Sequence, residues 1–269
     1  MTEFRTATEG DVALMLAWAA AEGWNPGLDD APAFRAADPA GFFVALDKDA
    51  PVASISVVNH TDDFAFLGLY IALPAYRGKG IGYGLWQHAL AHAGQRTIGL
   101  DGVPDQQANY TASGFLSHGS TTRYIGEVAP VATDVRFAAP EDIAGLIERE
   151  AEASGVQKAA YLSAWFSNTA ERKTLVTDDG FCTVRRCQTG VKVGPLLAET
   201  IGGTQRLLHQ ASAVMGPKLV IDVPASSTGL AELCQRLDFA PGFATARMYR
   251  GDAPTPTGSI FAVTSLELG

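Results

Sequence analysis

Apolar positions follow two different periods along this chain, and its densest chemistry lies where one period gives way to the other. The run from Phe64 to Ala72 (Phe-Ala-Phe-Leu-Gly-Leu-Tyr-Ile-Ala) is mostly apolar, which predicts a largely buried strand. Pro74 follows, and then the spacing changes. Ile81, Leu85, Ala89 and Leu90 recur on one face at helical spacing, which predicts a helix packed by that face. Residues 96–101 (Arg-Thr-Ile-Gly-Leu-Asp) read as a second short buried strand. Beyond them, Pro104 suits the first turn of a helix and Gly114 suits a left-handed helix end.

The pattern occurs twice. Phe4-Arg5, Ala7 and Asp11-Val12-Ala13 return as Val135-Arg136, Ala138 and Asp142-Ile143-Ala144, with Arg5 and Arg136 a fixed 131 positions apart like every other pair. Each copy reads as a short strand, a capping turn and an amphipathic helix. Further on, Leu100-Asp101 resembles Ile221-Asp222. Tyr110-x-x-x-Gly114-Phe115 matches Cys234-x-x-x-Asp238-Phe239, and Arg123-Tyr124 matches Arg247-Met248. The spacing predicts two similar units, residues 1–128 and 132–269, joined near residues 127–131.

Between the first strand and helix lies Arg77-Gly78-Lys79-Gly80-Ile81-Gly82. A strand, a Gly-rich turn and a helix start, in that order, build an anion site. Glycines let successive backbone N–H groups approach a phosphate, and the helix N-terminus adds its partial positive charge. Arg77 and Lys79 add cationic donors. The spacing is Arg-x-x-Gly-x-Gly, without the Lys-Ser/Thr ending of a P-loop or the Gly-x-Gly-x-x-Gly order of a dinucleotide site.

With its Leu-Pro-Ala-Tyr lead-in, this segment resembles the pyrophosphate loop of the GNAT acyltransferases. Tyr110-x-x-x-Gly114-Phe115 resembles the segment in which that family places a Tyr hydroxyl facing the cofactor sulfur. The resemblance implies an α/β (α+β) fold, in tandem: a mixed, mainly antiparallel twisted sheet flanked by helices in each half. It implies that the first sheet splays at the end of the strand from Phe64 to Ala72. There the pantetheine arm would pair with backbone at Ile71, Ala72 and Leu73, with the pyrophosphate on Arg77, Gly78, Lys79, Gly80, Ile81 and Gly82. Tyr110 would be the general acid for the leaving thiolate. The family's usual Asn lies about two turns before the Tyr, whereas Asn109 is adjacent to it, so no cofactor role passes to Asn109.

The second copy departs from the pattern. Val191-Lys-Val-Gly194-Pro195 stands where the first copy has its phosphate loop, Pro195 removes an N–H donor, and Cys234 stands where the first copy has Tyr110. The second unit resembles a degenerate C-terminal acetyltransferase-like domain. It is expected to bind no CoA and to cover the first unit's acceptor cleft.

Acceptor-side residues are less marked. Trp24 and Asn25 lie in the loop after the first helix, where Trp24 could stack an acceptor or plug the loop. A protonated amine needs a general base. His60, Asp62, Asp63 and Asp101 are candidates, although Asp222 occupies the matching position in the unit that lacks the chemistry. That favours a structural role for Asp101, such as capping the helix at Pro104. Arg123 could reach the acceptor or pair with a carboxylate, and His88 and His92 read as a solvated helix pair.

Composition narrows the class. The 269 residues are 47% hydrophobic and 18% charged, a well-cored globular make-up. The net charge of −9 argues against nucleic acid. Residues 1–128 carry 7 Lys/Arg against 14 Asp/Glu, which suits a cationic acceptor meeting an anionic donor. No membrane-length apolar run or basic leader is visible, so a cytoplasmic protein with no membrane partner is expected. Cys182, Cys187 and Cys234 lack disulfide or zinc spacing, and no metal is expected. The function expected is an acetyl-CoA-dependent N-acetyltransferase acting on a small-molecule or amino-acid-like amine, as a monomer or homodimer. The alternatives are a protein N-acetyltransferase whose second domain docks a partner, and a CoA-binding sensor without turnover, which the presence of Tyr110 argues against.

Overall fold

In the computed structural model, residues 2–257 and 260–269 are described. The first half runs β1 (Glu3–Thr6), α1 (Glu9–Ala21), α2 (Asp30–Ala37), β2 (Phe42–Asp47), β3 (Ala50–Asn59), β4 (Phe64–Ala72), α3 (Ile81–Ala93), β5 (Thr97–Gly102), α4 (Gln107–Ala112) and β6 (Leu116–Glu127). The second half repeats that order with β7 (Arg136–Phe137), α5 (Ile143–Ser154), α6 (Ala159–Trp165), β8 (Arg172–Val176), β9 (Gly180–Arg186), β10 (Val191–Ala198), α7 (Ile201–Met215), β11 (Lys218–Pro224), α8 (Thr228–Arg236) and β12 (Ala240–Arg250). A last short strand, β13 (Phe261–Ala262), has no counterpart in the first half.

The repeat is visible in side-chain detail. Arg5 reaches Asp11 at 2.6 Å, and Arg136 reaches Asp142 at 2.5 Å. In both copies the same carboxylate accepts from the backbone N–H that opens the turn, at Thr8 and at Ala139, each at 2.7 Å. One sequence pattern has thus built the same helix start twice. At the later turn Gly114 (φ +88) is answered by Asp238 (φ +57), both left-handed.

The strands form one 13-stranded sheet, ordered β1-β2-β3-β4-β5-β12-β6-β11-β10-β9-β8-β7, with β13 added on β10. Most pairs are antiparallel. The exceptions are β4 with β5, from Phe64↔Thr97 to Leu67↔Leu100, and β10 with β11, from Val191↔Leu219 to Val193↔Ile221. In each case the pairing stops just before a glycine, Gly68 or Gly194, where β4 and β10 also slip register against their other neighbours. Leu69 there has φ +47. Each half therefore has a strand that peels away from its parallel neighbour.

The last strands are exchanged. β12 of the second half pairs with β5, and β6 of the first half pairs with β11, while β6 and β12 pair with each other. Each half thus completes its sheet with a strand from the other. Two ion pairs mark the exchange: Asp101 lies opposite Arg247, and Asp222 opposite Arg123. Arg247 bonds Asp101 at 2.7 and 3.1 Å, and Arg123 bonds Asp222 at 2.7 and 2.9 Å.

Apolar faces pack on both sides of this sheet. One cluster gathers Leu85, Trp86, Ala89, Tyr110 and Phe115 under α3 and α4, and another gathers Leu207, Leu208, Leu230 and Cys234 under α7 and α8. A third, around Phe34, Tyr161 and Trp165, joins the halves. Ile81 and Leu90 are half-buried on the face predicted for α3. The three cysteines are free and buried. Among the described residues no helix is long and apolar enough to cross a membrane.

Candidate active site

A cleft of about 450 Å³ opens where β4 leaves β5. Its walls include Ile71 and Ala72 on β4, Arg77, Gly78, Gly80 and Gly82 from the loop, and Trp24 and Glu22 beyond α1. Gly78 and Gly80 take left-handed backbone, at φ +72 and +77, and apart from each glycine and its chain neighbours nothing stands within 4 Å of where a Cβ would lie. No side chain caps α3, whose N-cap is Gly80. An open cradle of backbone at an uncapped helix start is what a phosphate group requires. Leu73, Lys79 and Ile81 flank the cleft without lining it: the Lys79 ammonium sits over the Tyr76 ring, and Ile81 packs into the core. Arg77 is held at the rim, donating to Ala72 O at 2.8 Å and to Glu22 at 2.5 Å.

Beside the cleft lies a smaller cavity of about 60 Å³. The two share Trp24, Tyr70, Val103 and Gln106. The cavity is built by both halves, with Leu67, Gly68, Asp101, Tyr110 and Arg123 from the first and Phe243, Thr245, Leu266 and Glu267 from the second. Tyr110 enters it from α4, its ring stacked on Trp86 at 5.6 Å and edge-on to Phe115. Burial first, and the neighbouring Tyr70 second, push its phenol well above the ordinary value, so the hydroxyl keeps its proton.

The other predicted acceptor residues divide. Trp24 lies at the junction of cleft and cavity, its backbone carbonyl accepting from Arg123 at 3.1 Å and Lys192 at 3.0 Å. Asn25 does not line either space. Its amide bonds the Thr189 carbonyl and N–H, at 2.8 and 3.1 Å, and ties this loop to the second half. Asp101 and Arg123 line the cavity but are committed, each to the exchanged partner described above. Asp101 also accepts from Thr245 at 3.1 Å. It does not cap the helix at Pro104, where no side chain does so, because its place on β5 turns it toward β12. Of the other base candidates, His60 is half-buried elsewhere with Nε2 on Leu268 O at 2.8 Å. Burial first, and Lys158 second, push it down to about 3. Asp62 is solvent-exposed, Asp63 bonds Thr61, and neither lines the cleft or cavity.

Two features of the second half correct the sequence reading. Val191-Lys-Val-Gly194-Pro195 is part of strand β10 and corresponds to β4, with Gly194 at the place of Gly68, so it is not the counterpart of the loop. The true counterpart is the short turn into α7. There Thr200 caps Gly203 N–H at 2.9 Å, and Asp179 accepts from Thr200 at 2.6 Å and from Arg206 at 3.1 Å. Asp179 lies so close to Gly203 that a Cβ there would meet its carboxylate, so an internal anion sits where an external one would bind. The gap beside β10 is also filled. β13 pairs with β10 at Leu196↔Ala262 and Leu197↔Phe261, and Val263 N–H reaches Asp222 O at 3.1 Å.

From β13 the chain crosses into the first half. A Cβ on Gly68 would stand within 2.0 Å of Glu267 O, so residues 265–269 pass tightly over the register slip in β4. Tyr161 donates to Ser265 at 3.3 Å, and Lys158 donates to Gly269 O at 3.0 Å. This crossing carries Leu266 and Glu267 into the cavity. Sequence reasoning passed over Glu267, although a lone acid in an otherwise apolar stretch was the signal.

Comparison with known proteins gives the same picture in both halves. The profile of the acetyltransferase (GNAT) family matches residues 11–115, and that of an acetyltransferase (GNAT) domain matches residues 146–262. Holothin acyltransferase of Pseudoalteromonas sp. (strain SANK 73390) is 35% identical over 262 residues, covering 94% of this chain and 89% of the relative. A proposed acetyltransferase of Pyrococcus horikoshii superposes with a TM-score of 0.84 at 21% identity, covering 100% of this chain and 96% of that one. A tandem GNAT protein from the clavulanic acid biosynthesis pathway superposes at 0.63 with 16% identity, covering 93% and 98%.

Proposed function

The chain belongs to the GNAT acetyltransferase family, as an acyltransferase with a second GNAT-like domain, and from that premise we propose that it transfers an acetyl group from acetyl-CoA to the amine of a small molecule. The observation that carries this reading is the continuity of the cleft with a cavity closed in by both halves. Residues 1–128 supply the donor side, and residues 132–269 supply a cover whose own donor site is filled by Asp179 and β13.

The donor side fits acetyl-CoA. Gly78, Gly80 and Gly82, with Arg77, would hold the pyrophosphate, and the free flank of β4 at Ile71 and Ala72 would take the pantetheine amides as an added strand would. When bound, acetyl-CoA supplies the acyl group as a thioester. The Tyr110 hydroxyl holds a proton at the cavity, available to a leaving sulfur. Trp24, held by Arg123 and Lys192, fixes the wall between donor and acceptor. A cavity of about 60 Å³ admits the amine-bearing end of a small molecule, and the relative is named for acyl transfer involving holothin.

The test is thiol release from acetyl-CoA across a panel of small amines, with holothin, the compound in the relative's name, assayed alongside them. We expect turnover with a small amine. Acetylation confined to protein lysines would instead favour the protein-modifying alternative, and CoA binding without turnover on any acceptor would favour a sensor.

A further inference from the structure

Resting on that reading of the cavity, we propose that Glu267 is the general base, delivered to the first half's chemistry by the second half. Two acidic residues line the cavity, Asp101 and Glu267. Asp101 is taken by Arg247 and Thr245. Glu267 is only 3% exposed, and its Oε2 has no hydrogen-bond partner. A buried carboxylate oxygen without a donor is costly unless something fills the place. The charged and titratable groups around it come from several elements. Arg123 on β6, Lys192 on β10 and Arg185 on β9 act on it through their charge. Each is bonded elsewhere: Arg123 to Asp222, Lys192 to Trp24 O, and Arg185 to Asp30. Tyr161 on α6 is bonded to Ser265, and Tyr110 on α4 shares the cavity. These cations surround a carboxyl group whose buried Oε2 has no donor of its own, and an acceptor entering the cavity would supply one.

An ammonium group is that donor. Its N–H bond breaks as the O–H bond forms on Glu267, and the electron pair left on nitrogen becomes the nucleophile. The nitrogen–carbon bond to the acyl group then forms, the carbon–sulfur bond breaks with the Tyr110 proton going to sulfur, and the second proton shed by nitrogen passes to the Tyr110 oxygen. Amide, thiol and phenol thus all end neutral, Glu267 holds the one proton released, and base and acid come from opposite halves of the chain. The backbone explains how Glu267 is held. Its own carbonyl packs against Gly68, and Ser265 accepts from Tyr161 and receives the Leu268 N–H at 3.1 Å.

The experiment compares the wild type with Glu267→Gln and Glu267→Asp, using the most active amine of the panel. For Glu267→Gln we expect kcat/KM at pH 7 to fall by about a hundredfold or more, with the deficit shrinking at higher pH as the free amine loses its own proton. Glu267→Asp should recover part of the loss. Calorimetry without donor should show the amine binding the Gln variant at least about tenfold more weakly, with acetyl-CoA affinity within twofold of wild type. A Gln variant with wild-type kcat/KM and pH profile overturns the assignment. So does a pH-independent loss accompanied by weaker acetyl-CoA binding, which would mark a structural role. A wild type inactive on every amine removes the functional reading itself, and this assignment with it.

Discussion

At the scale of single residues, burial decides what each group can do. Tyr110 has lost most of its contact with water, which favours the neutral phenol over phenolate. Tyr110→Phe removes the proton while keeping the ring on Trp86. We expect kcat to fall roughly ten- to a thousandfold with acetyl-CoA affinity little changed. Stopped-flow measurement of the chemical step checks this, and an unchanged rate would leave Tyr110 as packing. Burial acts differently on His60, whose ring is kept neutral down to about pH 3. Its folded pKa lies below the unfolded value of about 6.5, so on acidification the unfolded chain takes up a proton that the fold refuses. Stability should therefore fall as pH drops below about 6.5, by about 2 kcal/mol between pH 7 and pH 5 from this one residue. Denaturant unfolding of wild type and His60→Asn at both pH values reads the difference. An equal loss in the two proteins would show that His60 is not the group responsible.

At the scale of elements, two helix starts in equivalent places of the two halves differ. The N-terminus of α3 is open, behind left-handed glycines, whereas that of α7 is capped by Thr200 and faced by Asp179. Both satisfy the same unpaired backbone donors, one by leaving room for a ligand and the other internally. Gly80→Glu places a negative side chain at the open start. Acetyl-CoA affinity in calorimetry should drop at least about a hundredfold, mainly through charge repulsion and lost backbone approach. Gly80→Ala separates the causes, since it costs about 1 kcal/mol for the left-handed backbone and adds no charge. Equal affinities for the Gly80→Glu and Gly80→Ala proteins would refute the phosphate site. The strands show a similar contrast: β4 keeps a free flank while β10 has its flank covered by β13.

At the scale of the whole molecule, the exchange of β6 and β12 makes the halves interdependent. Residues 1–128 alone would leave β5 as an unpaired edge, strip Asp101 of Arg247 and uncover the apolar surface that the second half packs against. An open sheet edge beside uncovered apolar surface favours association over folding, and a domain's net stability is small enough to be lost with that burial. We expect this fragment, expressed alone, to be unfolded or aggregated, and expect co-expression with residues 129–269 to restore a soluble complex that binds acetyl-CoA. Circular dichroism and gel filtration decide the point, and a folded monomeric fragment would show that the exchange is dispensable. The same interlocking brings Phe243, Thr245 and Glu267 to a cavity that otherwise belongs to the first half.

The sequence by itself determined whatever depends on neighbours along the chain. The apolar run of β4, the helical spacing of α3, the left-handed turn at Gly114 and the glycines of the loop are each specified within a dozen residues. The repeat was legible for the same reason, since Arg5–Asp11 and Arg136–Asp142 each close a turn within six positions. Family resemblance extended this to the donor cleft. Contacts between distant segments were decided only in the tertiary structure. Nothing local distinguishes a last strand that stays in its own sheet from one that crosses to the other, because both offer the same backbone pairs and the same Asp–Arg match. Asn25 looked like an acceptor residue until the fold brought Thr189 beside it, and Gly194 looked like part of a loop until pairing placed it in a strand. Glu267 is separated in sequence from Tyr110 by more than half the chain. Its place in the cavity follows from the path of residues 260–269 across the sheet, which depends on long-range packing at Gly68 and Gly194.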